Sequence, residues 1–95
     1  MSVREPMMVR HDTAAQRFVA DVEGLESECA YQRNGDLLLM THTAVPPALE
    51  GRGIAAALVA AVFQWARAEG LKVRPLCSYV AVYARRHSEV RDLLG

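Results

Sequence analysis

The sequence predicts a mixed α/β (α+β) domain in which an antiparallel meander of strands is followed by a helix, a strand and a second helix. Three observations predict it. Apolar and polar residues alternate over 18–32; an Asn34-Gly35 turn leads into a more apolar run over 37–45; and residues 54–69 form a long apolar stretch without internal Gly or Pro, closed by Gly70. With 95 residues, 52% of them hydrophobic, the chain is large enough for one core and too small for a second.

Residues 1–15 are mixed and polar with no period, which reads as a loose N-terminal segment and leaves 16–95 as the single domain. Phe18, Ala20 and Val22 alternate with Val19, Asp21 and Glu23, and after Gly24 the residues Leu25, Ser27, Cys29 and Tyr31 alternate with Glu26, Glu28, Ala30 and Gln32. Each run is a half-buried strand. Asn34-Gly35 is a hairpin turn, since both residues tolerate positive φ. The third strand, 37–45, is the most apolar and reads as central, and Pro46-Pro47 lacks the amide donors to continue its pairing. In the helix over 54–69, Ile54, Leu58, Val62 and Trp65 share one face, the small residues Ala55, Ala56, Ala57, Ala60 and Ala61 allow close approach to a sheet, and Gln64, Arg67, Ala68 and Glu69 are left for solvent. Residues 71–76 form a fourth strand and 79–86 a second helix, with Ser88 placed to cap a last turn through Leu94. A strand, a helix and a strand in succession set the third and fourth strands side by side and parallel through a right-handed crossover.

Chemistry concentrates where the third strand gives way to the long helix. Glu50-Gly51-Arg52-Gly53-Ile54-Ala55 puts two glycines at that junction. They permit positive φ and remove Cβ atoms from the path of an anion, while the first N–H groups of the helix have no intrahelical acceptor and sit at the positive end of its dipole. Arg52 adds a charge beside them. Two glycines equally suit a plain strand-to-helix turn that binds nothing.

Composition excludes several partners. Eleven Lys plus Arg balance eleven Asp plus Glu, so net charge does not favour nucleic acid. The longest uncharged apolar run is too short to cross a bilayer, and Arg4, Glu5, Arg10 and Asp12 stand where a signal segment is apolar, which predicts a cytoplasmic protein. Cys29 and Cys77 are too few and too far apart for a disulfide framework or a metal cluster, and read as thiols in a reducing compartment.

A strand ending in Thr41-His42-Thr43-Ala44-Val45-Pro46-Pro47, followed by Glu50-Gly51-Arg52-Gly53-Ile54-Ala55 opening a long helix, resembles the acetyl-CoA-binding segment of the GNAT superfamily of acetyltransferases. Pro75-Leu76-Cys77-Ser78-Tyr79-Val80 and Tyr83-Ala84-Arg85-Arg86-His87-Ser88 resemble in particular its small single-domain, GNAT-like members. The match covers 16–94. It implies a sheet splayed open between the third and fourth strands, pantetheine of acetyl-CoA in the splay, pyrophosphate on Gly51, Arg52, Gly53, Ile54 and Ala55, and the Val45 N–H facing the pantetheine or the thioester carbonyl. Glu50 departs from the Gln or Arg of larger members and removes a favourable charge near the pyrophosphate.

The activity implied is N-acetyl transfer to an amine acceptor, which the sequence does not identify. That chemistry needs a neutral amine, oxyanion donors and a proton for the departing thiolate. Tyr83 matches the superfamily's general-acid tyrosine and is equally well a core tyrosine; Tyr79, one turn earlier, is the alternative. His42, just before the splay, and Cys77, at the end of the fourth strand, meet in this topology at the open end of the sheet, where α/β ligands bind. A histidine there serves as a base, and a thiol beside it can take the acetyl group itself, although both residues equally suit structural roles. Direct transfer is the favoured route, because the splay already brings amine and thioester together. Cys29 reads as core, and Arg85, Arg86 and His87 as a solvated helix end whose arginines are within reach of cofactor phosphates. A non-catalytic CoA-binding or protein-interaction module is the alternative, since the chain lacks the extra helices and loops that often recognise an acceptor.

Overall fold

Alternation in the first half of the chain and one continuous apolar helix in the second fold into a sheet with a helix across one face. The computed structural model describes residues 8–95. The strands are β1 (Val9–Asp12), β2 (Arg17–Val22), β3 (Leu25–Asn34), β4 (Leu37–Ala44) and β5 (Lys72–Pro75), with helices α1 (Ile54–Glu69) and α2 (Ser78–Arg86) and 3-10 turns at Pro47–Leu49 and Ser88–Leu93. The sheet has five strands in chain order, antiparallel from β1 to β4 and parallel between β4 and β5.

Three expectations are corrected. Val9–Asp12 is a paired edge strand and not part of a loose segment; residues 1–7 lie outside the described residues. Val9 and His11 face inward, and the His11 ring stacks on Phe18 (centroids 4.0 Å apart), meets Trp65 edge-on at 4.4 Å and places Nε2 2.6 Å from the Tyr31 hydroxyl. With this extra strand, β4 is interior but the middle of the sheet is β3. Ser88 begins its 3-10 turn, and the cap position belongs to His87.

Alternation divides the sheet into two unlike faces. Phe18, Ala20, Cys29, Tyr31, Leu38, Met40 and Val73 form one core with Leu58, Val59, Val62 and Phe63 of α1. The other face is charged: Arg10 pairs with Asp21 (3.2 Å) and Glu26 (3.3 Å), Arg17 pairs with Glu26 (2.8 Å) and Glu28 (2.7 Å), and His42 Nε2 lies 3.8 Å from Glu28. Among the described residues no helix is long and apolar enough to cross a membrane.

Two irregularities in β4 position the site. First, β5 pairs only with residues 37–40; the N–H groups of Leu76 and Cys77 both donate to the Met40 carbonyl (2.9 and 3.1 Å), and from there to Ala44 β4 keeps β3 on one side and has no strand on the other. The sheet therefore splays between β4 and β5. Second, Tyr31 pairs with Met40 but Ala30 with His42, leaving Thr41 as the extra residue of a β-bulge.

Candidate functional site

The splay opens into a cleft of about 550 Å³, lined by Thr43, Ala44 and Val45 from the end of β4, by Leu49, Glu50, Gly51 and Gly53 from the connection, by Ile54, Ala55 and Ala56 from the first turn of α1, and by Tyr79 of α2. Its size suits a small-molecule or cofactor site. Gly51 (φ +83°) and Gly53 (φ +79°) are both left-handed, and a Cβ built on either meets no protein atom within 4 Å. Gly53 caps α1 without a side chain, and the first intrahelical bond runs from Ala57 N to Gly53 O at 3.0 Å. The N–H groups of Ile54, Ala55 and Ala56 thus precede the helical ladder and belong to residues on the cleft wall, the arrangement that binds anions at helix N-termini. These donors, the glycines and the open edge of β4 suit a pyrophosphate joined to an extended arm.

Val45, Gly51, Gly53, Ile54 and Ala55 all line this cleft. Arg52 does not. Its guanidinium pairs with Glu23, which sits in the β2–β3 turn at φ +52°. Glu50 does line the cleft and brings a carboxylate to it.

The two tyrosines have different places. Tyr79, 40% exposed, is on the cleft wall, while Tyr83 lies between Phe63 and His87, its ring stacked on both at centroid distances of 5.9 and 3.9 Å. Burial pushes the Tyr79 phenol above its ordinary value, partly offset by Arg86. Burial likewise raises Tyr83, with Glu89 and Tyr79 adding to it.

His42 and Cys77 are not the pair that the topology suggests. Simple alternation from Leu38 and Met40 carries His42 onto the core face beside the thiol, but the bulge at Thr41 turns the register over by one residue. His42 therefore stands on the charged face with Glu28, and Thr43 faces inward opposite Cys29. The partner of Cys77 is Thr43: its Sγ lies 3.8 Å from Thr43 Oγ1. Cys77 is also the N-cap residue of α2. Burial pushes its thiol up, but the N–H of Val80, the Thr43 hydroxyl and the N–H groups of Tyr79 and Thr43 together outweigh this and hold it below the ordinary thiol value. Thr43 itself was not among the residues that the sequence singles out, and only the bulge reveals its place on both the cleft wall and the thiol.

Comparison with known proteins points one way. A family model described as GCN5-related N-acetyl-transferase matches residues 17–93. The proteins named NATD1 from Gallus gallus and Homo sapiens are each 31% identical over 85 residues, spanning 86% of this chain and 77% and 75% of theirs. In fold, the chain is similar to a GCN5-like protein from Staphylococcus aureus solved in solution by NMR, with a TM-score of 0.74 at 22% identity over 93% of this chain and 87% of that one.

Proposed function

The chain belongs to the GCN5-related N-acetyltransferase family, and from that premise we propose that it binds acetyl-CoA in the cleft and passes the acetyl group to an amine arriving at the charged face of the sheet. One observation carries this reading: two left-handed glycines, three helix N–H groups ahead of the ladder and the edge of β4 that β5 has left all converge on one cleft. The N–H groups of Ile54, Ala55 and Ala56 hold the pyrophosphate, and the Val45 N–H orients the arm that follows. Bound there, the thioester supplies an activated acetyl group. His42, oriented by Glu28, takes the proton that an amine carries at neutral pH. Tyr79, a phenol protonated at neutral pH and raised further by burial, supplies a proton to the departing sulfur.

A second route is favoured by the environment of Cys77, whose lowered thiol adjoins the cleft residue Thr43. In it the Cys77 thiolate attacks the thioester carbon, the C–S bond to CoA breaks and CoA leaves as a thiolate that takes a proton from solvent; the neutral amine then attacks the acetyl carbon and loses a proton to solvent as Cys77 leaves as the thiolate. Incubation with acetyl-CoA and no acceptor separates the two. An acetyl group on Cys77 in the mass spectrum, with Cys77→Ala inactive, supports the covalent route; unmodified Cys77, with Cys77→Ala retaining most activity, supports direct transfer.

The functional test is release of CoA that depends on an added acceptor, drawn from amines, polyamines and peptides. Acceptor-dependent release is expected. Binding of CoA with no release for any acceptor would leave a CoA-binding module. The Arg52–Glu23 pair yields a further expectation. Freed by Glu23→Gln, Arg52 becomes available to the phosphates, and CoA affinity should rise about threefold, within the range of exposed ion pairs. Titration calorimetry at low salt checks this, and an unchanged affinity would remove Arg52 from the phosphate site.

A further inference from the structure

Cys29 of β3, Thr43 of β4 and Cys77 at the start of α2 come from three elements and meet at one hydroxyl. Thr43 Oγ1 lies 3.6 Å from Cys29 Sγ and 3.8 Å from Cys77 Sγ. Strand register sets Thr43 directly opposite Cys29, and the splay brings α2 against it from the other side. Cys29 is fully buried and Cys77 partly so. A buried cysteine packs as a small hydrophobe and needs no hydroxyl beside it.

We propose that Thr43 and Cys29 are positioning residues for Cys77, forming a hydrogen-bond relay that reverses direction when Cys77 becomes a thiolate. With both thiols protonated, the Cys77 S–H donates to Thr43 Oγ1 and the Thr43 O–H donates to Cys29 Sγ. A hydroxyl has one proton and two lone pairs. When Cys77 releases its proton to solvent it has nothing left to donate. The Thr43 hydroxyl then turns its proton to the thiolate, and its oxygen accepts the S–H of Cys29. Two hydrogen bonds exist before and two after. No buried group is orphaned, and the bond to the thiolate is the stronger for its charge.

The relay works in this sense only if Cys29 keeps its proton while Cys77 gives one up. Burial pushes the Cys29 thiol up to about 11, with the charges of Cys77 and Glu28 adding to it against the pull of Thr43. Around Cys77 burial raises the thiol, and the backbone N–H groups of Val80, Tyr79 and Thr43 and the Thr43 hydroxyl lower it; no charged side chain is among these groups. Glu28 and His42 lie on the opposite face of the sheet, paired with each other. The two thiols are therefore ordered: the one at the helix N-terminus ionises first, and the one in the core remains the end donor.

This inference rests on the reading of Cys77 as a reactive thiol, and its test is independent of acetyl transfer. The full chain, without CoA, is alkylated with iodoacetamide across about pH 6 to 10, a span that brackets ordinary thiol ionisation, and modification of Cys77 is followed by peptide mass spectrometry. Thr43→Val is expected to move the midpoint of the profile upward, slowing alkylation near neutral pH about tenfold, the effect of one pKa unit. Thr43→Ser should restore the wild-type profile. Cys29→Ala should shift it the same way by less, and Cys29→Ser, which keeps an end donor, should not. A wild-type profile in Thr43→Val, or a Thr43→Ser as slow as Thr43→Val, would overturn the relay. If Thr43→Val does not fold, the Cys29 pair decides, equal profiles in Cys29→Ala and Cys29→Ser being the contrary result. A protein that shows the expected profiles yet transfers no acetyl group contradicts the functional reading alone.

Discussion

Gly53→Glu is expected to abolish the stabilisation that the proposed site predicts for CoA, about 2.7 kcal/mol at a hundred times the dissociation constant. Gly53 is the left-handed N-cap of α1, and a Cβ there meets no protein within 4 Å, so the glutamate projects from the cleft wall and not into the core. It sets a carboxylate and a side chain across the N–H groups of Ile54, Ala55 and Ala56, where close approach of the pyrophosphate is needed. Any side chain at this φ also strains the backbone by about 1–2 kcal/mol, so a drop in melting temperature without ligand is expected and is not the readout. Gly70→Ala is the control. Gly70 has φ +71° at the far end of α1, and a Cβ there also meets nothing within 4 Å. It should lower the unliganded melting temperature and keep the full shift with CoA. Gly51→Val should behave like Gly53→Glu. Equal CoA shifts in the Gly53→Glu and Gly70→Ala proteins would move the phosphate away from the glycine turn.

Tyr79→Phe should lower acetyl transfer about a hundredfold, the lower end of what general acid catalysis contributes, with CoA affinity nearly unchanged. Tyr79 is the tyrosine on the cleft wall. Tyr83→Phe keeps the ring that stacks on Phe63 and His87 and removes a hydroxyl that is not part of that wall, so its rate should stay near wild type. Steady-state rates for the two variants, beside CoA affinities from calorimetry, read the comparison. The reverse ranking would return the role to Tyr83, as the resemblance to the superfamily implies, and require α2 to reorient when CoA binds.

The long helix was legible almost to the residue, because an apolar period of 3.6 without Gly or Pro ends at a glycine whose φ of +71° is the left-handed conformation a helix stop requires. The meander was legible because β2 and β3 alternate and Asn34-Gly35 turns the chain. β1 was not. Its inward positions are Val9 and His11, and a four-residue strand with a single apolar residue shows no hydrophobic period; the half-buried His11 is held by stacking on Phe18 and a hydrogen bond with Tyr31. In the site, the glycine turn was readable from local chemistry alone, whereas the partners of Cys77 and His42 depended on the bulge at Thr41. One unpaired residue exchanges the faces of all that follow it in a strand, yet leaves the composition of the strand unchanged. The engagement of Arg52 was hidden for a related reason, since Glu23 reaches it from a turn distant in sequence.

Binding of CoA along the end of β4 and the first turn of α1, as proposed, is open to an NMR titration of the amide groups with CoA. Saturable shifts are expected at Thr43, Ala44 and Val45, at Gly51 and Gly53, at Ile54, Ala55 and Ala56, and at Tyr79, all lost in Gly53→Glu. Absence of saturable shifts, or shifts confined to the charged face around Arg10, Arg17 and Glu28, would contradict it.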